Sequence, residues 1–275
     1  MFWTRLVSGI VLVIIAFAAM GYGGAALALV LWAISLAALR ELTKALKCAD
    51  SSKGFNALEI LGMMGVTLYY LVLFFSGDTT LQLMCIVVLF MAEMLMYVVT
   101  FPKYSAQQVV AAIFSFLYAP VMLSFVYQTR ACTHGIYMVW MILISSWGCD
   151  TCAYVVGMLI GKKKIFPLLS PKKSLEGCIG GVLGAALLGW IYGYFVLEGV
   201  ISGQTVSWLI AAICAVGAVM SMVGDLAASA IKRNHNIKDY GKLIPGHGGI
   251  MDRFDSMIVT APMTYFLTVL LLSVE

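Results

Sequence analysis

Apolar runs long enough to approach a bilayer's thickness recur about every thirty residues along this 275-residue chain, with no long polar block between them. The hydrocarbon core calls for about 20 predominantly apolar residues per helix, somewhat fewer where neighbours or local thinning help. Nine runs meet that measure, near 6–20, 25–39, 57–75, 81–101, 108–126, 135–149, 177–196, 206–223 and 257–274. Hydrophobic residues make up 62% of the chain and charged residues 11%, where a soluble domain carries about 45–50% apolar residues. A water-soluble fold cannot cover so much apolar surface. Because backbone polar groups in lipid must be satisfied within the segment, the runs are expected to be helices. The expected fold is an all-α integral membrane protein of about nine transmembrane helices, in one polytopic domain over 1–275.

The basic residues test that count, since positive charge collects in cytoplasmic loops. Arg5 precedes the first run; Arg40, Lys44, Lys47 and Lys53 follow the second, and Lys103 the fourth. Lys162, Lys163, Lys164, Lys172 and Lys173 follow the sixth, and Lys232, Arg233, Lys238, Lys242 and Arg253 the eighth. Of 17 Lys and Arg, only Arg130 falls on the other side. Nine spans with a cytoplasmic amino terminus and an external carboxyl terminus are therefore expected, in the cell (inner) membrane. The net charge of +4 reads as topology and attraction to anionic lipid, not as nucleic-acid binding. The first run is read as a retained span, because a second follows across the uncharged stretch 20–24.

Seven cysteines, mostly in or beside apolar runs, do not form a secreted disulfide framework. Cys149 and Cys152 make a C-x-x-C without a second pair, and packing is the expected role. Glu93, inside the fourth run, is either a functional carboxylate or a hydrogen-bonded packing residue. Pro120 is expected to kink the fifth helix.

The chain changes character near residue 146. Before it the runs are plain Leu, Val, Ala and Met helices, expected to form a scaffold over 1–145. After it glycine, lysine and aspartate crowd the membrane boundaries, which makes 146–275 the expected catalytic half, facing the cytoplasm. One cluster holds Asp150, then Gly157 and Gly161, then Lys172, Lys173 and Ser174. A carboxylate at Asp150 is costly near lipid without a partner. Gly157 and Gly161 form a small-x-x-x-small pair that admits a close helix neighbour. Lys172 and Lys173 precede a Ser-Leu-Glu-Gly stretch that reads as a helix start, where N–H groups and ammonium charge suit phosphate.

The second cluster is denser. Asp225, Ser229 and Lys232 share a helix face at spacings of four and three, and Asp252 and Asp255 project together at three. Carboxylates brought close repel, and an oxygen-ligated cation such as Mg²⁺ is the ordinary remedy. Glycines around His247 permit a tight turn and close backbone approach to a ligand.

The run from Ser229 to Asp255 resembles the signature of phosphatidate cytidylyltransferases position for position. It reads S-x-hydrophobic-K-R, four residues, K-D, x-G, x-x-hydrophobic-P-x-H-G-G, hydrophobic-x-D-R-x-D. Asp150-Thr151-x-Ala153-Tyr154 and Ser170-Pro171-x-Lys173 resemble the family too, with Ser174 where threonine is common. The resemblance implies transfer of CMP from CTP to phosphatidate in the bilayer, giving CDP-diacylglycerol and pyrophosphate, with Mg²⁺ required, in a homodimer; the number of cations stays open. It implies metal ligation by Asp225 and Asp252, with Asp255 and Asp150 in support. It implies phosphate binding by Lys172, Lys173, Lys232, Arg233, Lys238 and Arg253. His247 is expected to donate to a phosphate oxygen, and Ser174, Ser229, Gly248 and Gly249 to line the substrate. A CDP-alcohol phosphatidyltransferase would carry D-x-x-D-G and D-x-x-x-D, which are absent. A CTP-dependent polyprenol kinase would transfer the γ-phosphate, and a transporter would move ligand without CTP turnover.

The charge distribution carries a direct test of sidedness. A reporter fused after Glu275 is expected on the external side and one inserted beside Lys238 in the cytoplasm. Both reporting the same side would rule out nine spans.

Overall fold

The structure is a computed structural model that describes residues 2–48, 54–201, 206–244, 246 and 248–272, with side chains from residue 7 onward. Among the described residues every extended element is helical, and only isolated antiparallel bridges join Lys164 to Ser174 and Ile244 to Gly248. Nine helices follow in order: α1 Phe2–Tyr22, α2 Gly24–Ala45, α3 Ala57–Phe75, α4 Thr79–Val99, α5 Ala106–Ala131, α6 Gly135–Ile160, α7 Leu175–Leu197, α8 Ser207–Asn234 and α9 Met251–Leu272. Eight of them are long and apolar enough to span a membrane, and the described side chains of α1 make a shorter apolar helix, Val7–Tyr22. The expected all-α membrane fold is therefore the observed one. Apolar side chains such as Leu95, Val99, Leu183 and Leu270 stand exposed on the helices, as lipid-facing residues do.

Two of the expected runs stop short of their helices. The sixth ended at 149 and the eighth at 223 by hydropathy, yet α6 continues to Ile160 and α8 to Asn234. Asp150 and Asp225 thus lie inside helices, several turns from the ends. Hydropathy ended the runs where charge and glycine begin, but neither breaks the backbone hydrogen bonding that carries each helix on.

Contacts divide the chain into two units, Met1–Ser124 with Asn234–Arg253 and Phe125–Arg233 with Phe254–Glu275. In the first unit the helix ends are set by local polar chemistry. Gly23 and Gly24, both at positive φ, turn the chain between α1 and α2 in a conformation that costs only glycine little. Asn56 accepts the Glu59 N–H at 2.7 Å while Glu59 accepts the Asn56 N–H at 3.2 Å, a capping box that starts α3. Ser105 and Gln108 do the same for α5, and Asp78 caps α4. Between helices, Thr43 donates to Glu59 at 3.1 Å, the Trp32 indole N–H to Thr67 at 3.2 Å, and Ser35 meets the Tyr70 hydroxyl at 2.8 Å. Cys48, Leu58, Tyr104, Val109 and Ala112 form a buried apolar cluster beside them. Pro120 lies in a π turn, Leu117–Val121, where Tyr70 donates to its carbonyl at 3.3 Å, so the helix widens at the proline.

The second unit packs through small residues. A Cβ on Gly177 would stand 3.2 Å from the Gly157 Cα, and one on Gly184 would meet Cys152 Sγ at 2.5 Å, so α6 and α7 approach backbone to backbone. Gly189 and Gly193 admit α8 in the same way, above a core of Met138, Met141, Leu197, Ile210, Ile213 and Cys214. The seven cysteines are free, and burial first of all pushes the Cys48 thiol up to about 12, as a packing residue rather than a redox centre requires.

Small-to-large change at such a contact forces backbone to move. Gly193→Ala places a Cβ 2.7 Å from the Ser207 Cα, whereas nothing lies within 4 Å of one on Gly21. Gly193→Ala is expected to cost about 1–3 kcal/mol and Gly21→Ala little, read as the temperature at which detergent-solubilised protein aggregates.

Candidate active site

The second unit gathers charge inside its helices. Asp150 projects from α6 and Asp225 from α8; Lys173, just before α7, closes on Asp225 with Nζ 2.5 Å from Oδ2. Both side chains are partly exposed, 21% and 30%. Asp150 lies within electrostatic range of Asp225 and Lys173, and Asp255 within range of Asp225, Lys232 and Asp150. Asp255 is buried and accepts the Ser256 N–H at 2.8 Å. Glycine makes this convergence possible. A Cβ on Gly224 would stand 2.6 Å from the Asp255 carbonyl, so α8 and the first turns of α9 touch only because that atom is missing.

Lys173 is placed by the start of α7. Ser174 caps the helix by accepting the Gly177 N–H at 3.2 Å, and Glu176 accepts the N–H groups of Lys162 and Lys163 at 3.0 and 3.2 Å. Lys164 donates to the Lys172 carbonyl at 2.9 Å, which ties the loop across its own base. Asp150, Lys164, Lys172, Lys173 and Ser174 border a cavity of 360 Å³ whose remaining wall is largely apolar. A charged loop over an apolar wall suits an amphipathic anion.

Asp150 and Asp255 both lie within electrostatic range of Asp225, and carboxylates brought close favour a cation between them. Among the described residues no three His, Cys, Asp or Glu side chains enclose an ion by themselves. Mg²⁺ does not need that enclosure: it keeps several waters and takes one or two carboxylates together with substrate phosphates. Asp225 with one of its acidic neighbours, Asp150 or Asp255, fits that demand, the remaining ligands coming from water and phosphate.

The first unit holds the glycine-rich loop that leads into α9. Asp252 Oδ2 accepts the N–H groups of Tyr240 at 2.9 Å and Gly249 at 3.0 Å, and Ile244 donates to the Gly248 carbonyl at 3.0 Å. Gly248 has φ +84°, a value that a side chain would strain. The loop also rests on a residue outside the sequence-derived candidates. Glu41, buried near the end of α2, accepts the Ile250 N–H at 3.1 Å and the Met251 N–H at 2.8 Å. These are donors that the start of α9 would otherwise leave unpaired. A Cβ on Gly241 or Gly249 would collide with the Glu41 carboxylate. No signal in the sequence marked it, because Arg40 and Lys44 beside it already account for charge at that end of the run.

The structure thus brings together Asp150, Lys173, Asp225, Lys232 and Asp255, with Ser229 on the same helix as Asp225 and Lys232. It brings Gly248, Gly249 and Asp252 together in the other unit. Lys172, Arg233 and Lys238 are exposed, and Arg253 is partly buried. His247 lies outside the described residues. Glu93 on α4 is fully buried, with no hydrogen-bond partner for either carboxylate oxygen.

Removing the Glu41 carboxylate leaves two buried N–H groups without acceptors, at about 1–3 kcal/mol each. Glu41→Ala is therefore expected to speed proteolysis within 238–250, with Glu41→Gln, which keeps one acceptor oxygen, intermediate between it and the parent.

Comparison with known proteins adds to this geometry. A model of the cytidylyltransferase family matches residues 3–271. A protein of Staphylococcus saprophyticus named phosphatidate cytidylyltransferase is 27% identical over 272 residues, covering 96% of this chain and 98% of its own. One of Thermotoga maritima with the same name is 40% identical over 126 residues, 46% of each chain. One of Staphylococcus aureus, again so named, is 31% identical over 167 residues, covering 61% of this chain and 62% of its own.

Proposed function

We propose that this chain, which belongs to the cytidylyltransferase family, transfers CMP from CTP to phosphatidate in the bilayer, yielding CDP-diacylglycerol and pyrophosphate for phospholipid synthesis. It is a nucleotidyltransferase and a multi-pass membrane protein. The observation that carries the finer reading is the group of carboxylates Asp150, Asp225 and Asp255 within membrane-spanning helices, with Lys173, just before α7, paired to Asp225. That is a costly arrangement for a chain with no anionic substrate to position.

Both reactants are anions, so catalysis requires positioning and charge neutralisation more than a protein nucleophile. A lipid phosphate oxygen attacks the α-phosphorus of CTP, and the bond to the β-phosphate oxygen breaks as pyrophosphate leaves. Lys173 and Lys232 offset the charge that accumulates between the phosphates, and Lys172 adds to the same field. Asp150 and Asp225 hold Lys173 in the cavity; without them a flexible lysine would seek water. Asp225 together with Asp150 or Asp255 would hold Mg²⁺, which when bound supplies charge neutralisation at the phosphate oxygens. The backbone bonds on Asp252 Oδ2 favour a role for it in shaping the loop 239–251. His247 keeps its proposed role as donor to a phosphate oxygen. The 16-to-1 distribution of Lys and Arg supports an active site facing the cytoplasm in the inner membrane, where CTP arrives. A homodimer remains part of the proposal through the resemblance alone.

Purified protein incubated with phosphatidate and α-labelled CTP is expected to place label in lipid, and γ-labelled CTP to leave the lipid unlabelled. The reverse pattern would identify a lipid kinase. Asp225→Asn, which keeps shape and loses charge, is expected to lower turnover about a hundredfold or more while the protein still inserts. Because displacement is direct, labelled pyrophosphate should exchange into CTP only when phosphatidate or CDP-diacylglycerol is present. Robust exchange by lipid-free enzyme would establish a covalent cytidylyl-enzyme instead.

A further inference from the structure

The first unit contains a second charged cavity whose residues the proposed chemistry does not use. Along α2, Trp32, Leu36, Arg40 and Lys44 recur every four residues, with Ala33, Ala37 and Glu41 alongside, and together they form one wall of a 630 Å³ groove. The stripe is apolar at the Trp32 end and charged at the Lys44 end, over about 18 Å at about 1.5 Å per residue. Met63 of α3 adds to the apolar side, and Lys242 on the loop 240–243 adds a third cation to the lining. Trp32 is fixed by its hydrogen bond to Thr67. The result is a groove with a greasy wall and a basic head, the shape of a single phospholipid.

We infer that this groove is a loading site for phosphatidate: Arg40, Lys44 and Lys242 take its phosphate monoester, and the wall from Leu36 to Trp32 takes the start of an acyl chain. The inference rests on the reading of phosphatidate as the substrate and adds the place where the chain first holds it.

Charge argues for the monoester. Three cations line the groove against one carboxylate, Glu41, leaving two positive charges, and Glu41 already accepts two backbone N–H groups. A phosphate monoester carries about −1.5 to −2 near neutral pH, whereas a diester headgroup carries one negative charge. Arg40 argues that the charges do more than mark sidedness. Its guanidinium lies 4.1 Å from the centre of the Phe55 ring, and its buried Nε has no hydrogen-bond partner among the described residues. A cation serving topology alone would turn its donors to water. An arginine stacked on an aromatic ring and lining a basic groove is held in place there, as a site for an anion requires. Glu41 gives the site a connection to the chemistry of the loop, because the carboxylate that borders the groove also holds the first N–H groups of α9.

The test uses full-length protein with Arg40→Ala, Lys242→Ala and Trp32→Ala made singly. Lys242 lies on a loop and Trp32 at the apolar end, so loss of insertion in one variant leaves the others informative. Native mass spectrometry of protein mixed with phosphatidate, phosphatidylglycerol or inorganic phosphate reads retention. Steady-state assays read KM for each substrate. Parent protein is expected to retain phosphatidate well above phosphatidylglycerol and to ignore inorganic phosphate. Arg40→Ala and Lys242→Ala are expected to lose that preference and to raise KM for phosphatidate about tenfold, the equivalent of about 1.4 kcal/mol, with KM for CTP unmoved. Trp32→Ala should weaken retention of phosphatidate without altering the preference for the monoester. Equal retention of the two lipids by the parent, parental retention by the variants, or an unmoved phosphatidate KM in variants that have lost retention would each overturn the inference. Parent protein that retains phosphatidate but does not turn it over sinks the proposed function and leaves the groove standing.

Discussion

A carboxylate placed within a membrane-spanning helix must find a positive partner or a ligand, because the hydrocarbon around the bundle offers neither water nor counterion. Asp225 meets that requirement with Lys173 at 2.5 Å, and much of the second unit serves to hold the two together. Ser174 fixes the start of α7 immediately after Lys173, and Lys164 braces the same loop through the Lys172 carbonyl. Gly157 and Gly177 let α6 and α7 approach closely enough for Asp150 to share the lysine's field. A bulkier residue at either glycine would separate the helices and leave charges stranded.

The same economy governs the loop of the first unit, with backbone amides in place of the lysine. Glu41 and Asp252 each accept two N–H groups, and those four bonds give an irregular glycine-rich segment a defined path. Carboxylate acceptors make stronger bonds to N–H groups than neutral ones. The loop does not require a hydrophobic core of its own. Gly241 and Gly249 are needed for contact with Glu41, and Gly248 for its positive φ, so these three glycines serve two different purposes.

Much of the site was legible in order but not in arrangement. Helical spacing placed Asp225, Ser229 and Lys232 on one stretch, and the structure carries that helix to Asn234. The helix start after Lys173 was legible in Ser174-Leu175-Glu176-Gly177. Glu41 was not, because it sits between Arg40 and Lys44, where charge has a sufficient explanation in membrane sidedness, and its partners lie more than two hundred residues away. The two backbone amides on Asp252 Oδ2 were not legible either, because Tyr240 lies twelve residues away across an irregular loop.

The sequence by itself determined that the chain is a bundle of membrane-spanning helices, because apolar runs of bilayer length admit no other described outcome once backbone hydrogen bonds must close within each segment. It also determined which residue types could meet phosphate, since lysine, aspartate and glycine concentrate in two stretches of the second half. Tertiary structure decided which of those charges face each other. Helix length follows from local hydrogen bonding and hydropathy, which a sequence displays directly. The pairing of Lys173 with Asp225, and of Glu41 with the start of α9, depends on helix contacts between residues far apart in the chain, where the absence of a single Cβ sets the distance.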